Sequence, residues 1–126
     1  MKDLESTLRI HLWLETNEGM LFGIGRVILL KKIGELGSLN KAAKEMGMSY
    51  RAAWGKIKAT ERELGVELIT KSPDSRGFGL TPFGYQLLDD FDRWHREIES
   101  IALEKAKAVF PWQIHPFKES EKSPFS

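Results

Sequence analysis

The stretch from Ser38 to Leu64, SLNKAAKEMGMSYRAAWGKIKATEREL, decides how this 126-residue chain folds. Ser38 is placed to cap a short helix, Leu39 to Met46, by accepting hydrogen bonds from its free amides. Gly47 stops that helix, because a residue without Cβ enters the left-handed conformation at little cost. Ser49 then caps a longer helix that runs from Tyr50 to about Leu64 and is closed by Gly65. Ala42 and Ala43 are small enough to let two helices cross closely. This order of parts is that of the helix-turn-helix, in which the second helix is presented to the major groove. A plain helical hairpin in a small core is the competing reading.

Upstream, Leu8, Ile10, Leu12 and Leu14 alternate with Arg9, His11, Trp13 and Glu15, the period of a half-buried strand. Asn17-Glu18-Gly19 signals a turn, with Met20-Leu21-Phe22 as a short return strand. From Gly25 the period becomes helical: Val27, Leu30, Ile33 and Leu36 form a stripe that Ile28 and Leu29 widen, up to Gly37. Downstream, Val66 to Lys71 and Phe78 to Thr81 read as two strands of a hairpin around Ser72-Pro73-Asp74-Ser75-Arg76-Gly77. That hairpin would be the wing of a winged helix. Thr81-Pro82 opens a last helix to about Phe110, roughly 40 Å long at 1.5 Å per residue. The spacing predicts a mainly α protein with a small β component, one DNA-binding domain over 1–110 and a flexible tail over 111–126.

Charge is unevenly spread. From Ser38 to Arg76 eight basic residues face five acids, a local +3 in a chain whose formal total is +1. Between Ser49 and Thr60 there are three bases and no acid, a distribution suited to phosphate contact. At about 100° per residue Ala53, Ile57, Thr60 and Leu64 share the core-facing sector. Arg51, Gly55 and Lys58 point the opposite way, flanked by Tyr50 and Trp54. Arg51 and Lys58 are candidates for guanine O6/N7 or for backbone oxygens. The helix start offers amides to a phosphate, with the Ser49 hydroxyl beside them. Trp54 either packs against the wing or touches thymine methyls and sugars. Gly55 in mid-helix costs up to about 1 kcal/mol relative to alanine, which close approach to DNA or close packing within the protein would justify. Arg76 at the hairpin tip is a candidate for the minor groove, with a solvated loop arginine as the alternative.

The last helix carries Phe83, Leu87, Phe91, Trp94, Ile98 and Ile101 at steps of three or four. One small winged helix cannot cover such a seam, so a second copy of the same helix is expected against it, giving a two-fold dimer. Burial of its far end against the chain's own strand is the other possibility.

Composition narrows the function classes. With no cysteine, disulfide frameworks, thiolate zinc sites and cysteine nucleophiles are excluded. His11, His95 and His115 lack metal-ligand spacing, and Asp89, Asp90 and Asp92 read as a solvated helix face. No phosphate-binding glycine loop is present, and no apolar run approaches the roughly 18 residues that span a bilayer. The expectation is a cytoplasmic, non-enzymatic protein without cofactor or metal. A winged helix that binds another protein and leaves DNA alone is the rival class.

The runs Gly37-Ser38-Leu39-Asn40-Lys41-Ala42-Ala43-Lys44 and Gly47-Met48-Ser49-Tyr50-Arg51-Ala52-Ala53-Trp54, with Ile57, resemble the amino-terminal domain of ModE-type molybdate-responsive regulators. Glu63-Leu64-Gly65-Val66-Glu67-Leu68 and Leu80-Thr81-Pro82-Phe83-Gly84 are similar to the wider LysR-type winged helices. The resemblance implies a dimer that binds operator DNA, with Ser49, Tyr50, Arg51, Trp54 and Lys58 near it. Ser38 is a further DNA-binding candidate. The oxyanion-binding domains of full-length members have no counterpart after Gly84 in this sequence. A DNA-binding domain that receives its signal from a separate protein is therefore expected.

Overall fold

Locally encoded stops and starts set the helices of the computed structural model, which describes residues 3–74 and 76–117. In chain order the elements are β1 (Glu5–Leu8), β2 (Trp13–Thr16), β3 (Gly19–Gly23), α1 (Ile24–Leu36), α2 (Leu39–Glu45), α3 (Tyr50–Leu64), β4 (Ile69–Lys71), β5 (Phe78–Leu80), α4 (Pro82–Val109) and β6 (Gln113–Pro116). Gly37, Gly47 and Gly65 all take positive φ, as helix-ending glycines should. The Ser38 hydroxyl accepts from the Lys41 amide and that of Ser49 from Ala52, each at 3.0 Å. Thr81 starts α4 in the same way, accepting from the Gly84 amide while its own hydroxyl donates to the Glu67 carbonyl.

The chain divides into two compact units, one over Leu12–Phe91 and one formed by the two chain ends. The first holds α1, α2, α3 and the β4–β5 hairpin around a cluster that includes Leu29, Leu30, Ile33, Leu39, Ile57, Leu68 and Leu80. α1 is apolar on nearly every side because it lies in the middle, and Leu29 and Ile33 have no exposed surface. Ala42, Ala43 and Ala53 are equally buried, and their small side chains let α2 and α3 approach α1. A polar strut crosses the unit: the Arg26 guanidinium donates to the carbonyls of Met20 and Leu21 and to the Thr60 hydroxyl, which itself donates to Leu21. The Leu-Thr-Pro-x-Gly run has a steric reason, since a Cβ on Gly84 would lie 2.5 Å from the Leu68 carbonyl oxygen.

In the second unit β1 and β6 pair in parallel, Glu5 opposite Gln113 and Leu8 opposite Pro116. The expectation of a tail from 111 onward is therefore corrected for Gln113–Pro116, while 118–126 lie outside the described residues. Composition near Pro111 carries no trace of a strand partner more than a hundred positions away. The alternating run from Leu8 to Glu15 is not one strand: β1 ends at Leu8 and β2 starts at Trp13. Its alternation serves two different pairings, and β2 is exposed on both faces because its ribbon with β3 has no sheet behind it. The strand expected from Val66 begins only at Ile69.

Candidate nucleic-acid interface

Helical periodicity sorts α3 as its sequence implies. Ala53, Ile57 and Thr60 are buried and Leu64 is half-buried, whereas Arg51, Ala52, Gly55 and Lys56 are exposed. Ser49 stands exposed at the amino-terminal end, where first-turn amides lack intrahelical acceptors. Ser38 is half-buried, its hydroxyl oxygen occupied as the cap of α2. Gly55 lies in the middle of the outward face, and a Cβ built on it meets nothing within 4 Å. Among the described residues, packing within the chain therefore does not account for it.

Trp54 takes the packed alternative. Its ring lies 5.8 Å from that of Phe78 in β5 and is stacked, at 6.4 Å and 8°, on Tyr50, which remains 47% exposed. Lys58 does not extend freely into solvent, as its place on the outward sector suggested. Its Nζ donates to Glu61 Oε1 at 2.9 Å and lies 4.4 Å from the Trp54 ring centre. Arg76 is exposed in the β4–β5 turn, its amide bonded to Asp74 Oδ1. The turn's Gly77 is needed for a contact, since a Cβ there would lie 2.1 Å from the Gly37 carbonyl oxygen. Phe78 donates its amide to that same oxygen, which fastens the wing to the corner between α1 and α2.

Sequence reasoning did not single out Glu61. It is 8% exposed, and Oε2 accepts the amides of Leu68 at 2.7 Å and Ile69 at 3.2 Å. The amide of Leu68, just ahead of β4, and that of Ile69, its first residue, are thereby held by a side chain of α3. The signal was available, because Glu61 lies four residues after Ile57 and so on the buried side. Burial pushes its pKa up, but the Lys58 ammonium and the two amides outweigh it and hold the carboxyl below the ordinary glutamate value of about 4.3. A lowered pKa means stability that is full above the ordinary value and is lost as pH falls from there through the lowered one. Thermal midpoints measured across that window are expected to fall more steeply for the native chain than for Glu61→Gln.

The α4 residues expected to meet a second copy separate into two groups. Phe91 is buried and makes an edge contact with Phe22 at 5.9 Å, and Leu87 packs on the core, so both serve their own chain. Phe83, Ile98 and Ile101 are 43%, 36% and 53% exposed, and Trp94 is half-buried. Among the described residues no cluster of three His, Asp or Glu could hold a metal ion, and no helix is long and apolar enough to cross a membrane.

A capped short helix, an outward-facing helix and a wing fastened beside it define a winged helix-turn-helix with a long following helix. Residues 25–85 match the profile of bacterial regulatory helix-turn-helix proteins of the LysR family. The chain is 40% identical over 73 residues to the molybdenum-pterin-binding protein MopB of Rhodobacter capsulatus, covering 56% of this chain and 27% of that protein. With the transcriptional regulator ModE of Haemophilus influenzae it shares 31% identity over 102 residues, covering 79% of this chain and 38% of ModE. It thus spans less than two fifths of the length of these relatives. Among solved structures, the DNA-binding domain of CbnR in complex with DNA matches with a TM-score of 0.52 at 27% identity, over 67% of this chain and 93% of that one. The resemblance to ModE-type domains, drawn from the Gly37–Ile57 motifs, and that to LysR-type winged helices, drawn from Glu63–Leu68 and Leu80–Gly84, hold.

Proposed function

We propose that this chain is a sequence-specific, double-stranded-DNA-binding transcriptional regulator of the cytoplasm. α3 enters the major groove and the wing, about residues 68–81, lies on the flanking groove. The observation that carries this reading is Gly55: a helix-interior glycine on an exposed face with open space above it. It costs up to about 1 kcal/mol that no contact among the described residues recovers, and the close approach of a nucleic-acid backbone would recover it. Around it Ser49 and the first-turn amides supply phosphate contacts, Arg51 reaches base edges or phosphate, Tyr50 offers an exposed ring, and Arg76 extends from the wing. The chain acts as a homodimer in which Phe83, Ile98 and Ile101 of α4 are covered by a second copy, so that two recognition helices meet successive major grooves. A separate signal-receiving protein is a further partner of this reading.

The test is selection of bound fragments from random genomic duplex, followed by titration of the recovered sequence at several salt concentrations. Binding is expected to weaken steeply with salt. Arg51→Ala is expected to weaken it about tenfold or more and, if its contact is a phosphate, to lower the log–log salt slope by about 0.9. A folded chain that binds no duplex even at low salt contradicts the reading and favours a protein-binding winged helix.

A further inference from the structure

We infer that Lys58 is a positioning residue that locks the wing onto the recognition helix, rather than a group that contacts DNA. The inference rests on the DNA-binding reading and changes the role of a residue that sequence alone places on the reading surface.

Two separate bridges join α3 to the wing, and Lys58 takes part in both. On one side Glu61 divides its carboxylate, Oε1 accepting from Lys58 and Oε2 from the Leu68 and Ile69 amides at the start of β4. On the other, Trp54 lies between Tyr50 of its own helix and Phe78 of β5, and the Lys58 ammonium sits 4.4 Å from its ring centre. One cation therefore neutralises the carboxylate that holds β4 and rests on the indole that meets β5. A second ammonium, that of Lys71, lies 4.9 Å from the Phe78 ring, so the aromatic bridge carries a cation at each end.

Charge balance argues against a phosphate role. An ammonium paired to a buried carboxylate presents little net charge to DNA and would release no counterion on binding. Moving it onto a phosphate would leave Glu61 charged and buried without its cation, which is unfavourable. Arg51, about two turns earlier and exposed, has no such tie among the described residues. The consequence for function is geometric: helix and wing meet the duplex with a spacing set beforehand, and loss of Lys58 loosens that spacing without removing a phosphate contact.

The experiment compares Lys58→Met, Lys58→Arg and Arg51→Ala in the full chain with two readouts. Amide hydrogen exchange at Leu68 and Ile69 is measured on the free protein, and the salt slope is measured on one selected duplex. Lys58→Met is expected to speed exchange at both amides by about tenfold or more, leave the salt slope unchanged and reduce discrimination between the selected duplex and a scrambled one. Lys58→Arg is expected to restore protection, and Arg51→Ala to leave these amides protected. The inference is overturned if Lys58→Met keeps both amides protected, or if its only effect is a salt slope lower by about 0.9, the signature of a lost phosphate contact. Lys58→Gln, a milder change, carries the same readouts should the methionine variant not fold. Failure of all DNA binding would overturn the functional reading alone, because the exchange measurement needs no duplex.

Discussion

Gly55→Leu is expected to raise the stability of the folded chain while reducing its affinity for duplex at least a hundredfold. The two effects have opposite signs because they come from different sides of one residue. Within the protein, leucine replaces the poorest non-proline helix former, gaining about 0.8 kcal/mol, and a Cβ at this position meets nothing within 4 Å. Towards the duplex, four added carbons stand in the centre of the face that must approach the sugar-phosphate backbone. A loss of a hundredfold corresponds to about 2.7 kcal/mol, within the cost of forcing a tight interface apart. Thermal unfolding and fluorescence anisotropy on the same sample measure both. Retained affinity in a stabilised variant would mean that DNA does not approach α3 at Gly55.

Ile33→Ala is expected to cost about 3–4 kcal/mol and to lower the melting temperature by about 10–15 °C. Ile33 has no exposed surface and lies in the cluster where α1 meets the alanines of α2 and α3. Removing three carbons there leaves a cavity that capped, glycine-terminated helices cannot easily close. Against a typical total of about 5–15 kcal/mol this is a large share of stability. DNA affinity of the molecules that remain folded is expected to change little, since Ile33 lies far from the outward face of α3. Denaturant titration gives the first number and binding below the transition the second.

How much of this was legible beforehand depended on the range of the interaction. The helix limits around α2 and α3 are written locally, in Ser38, Gly47, Ser49 and Gly65, and each does what its chemistry suggests. Thr81-Pro82 marks the start of α4 in the same way. The β1–β6 pair joins positions near the two ends of the chain, and no local pattern announces it. The candidate interface residues follow the same division. That Arg51 and Gly55 face outward and Ala53 and Ile57 inward needs only a helical period. That Trp54 lies on Phe78, and that Glu61 holds both Lys58 and the wing amides, needs the wing in place. That Phe91 meets Phe22 of the same chain likewise needs the fold in place.

The most direct measurement is titration of the isotope-labelled chain with a selected duplex, followed residue by residue through its backbone amide resonances. The account requires the largest changes at Ser49 to Lys56 and at Arg76, with the β2–β3 ribbon almost unmoved. Changes concentrated in that ribbon, with the α3 amides silent, would contradict it.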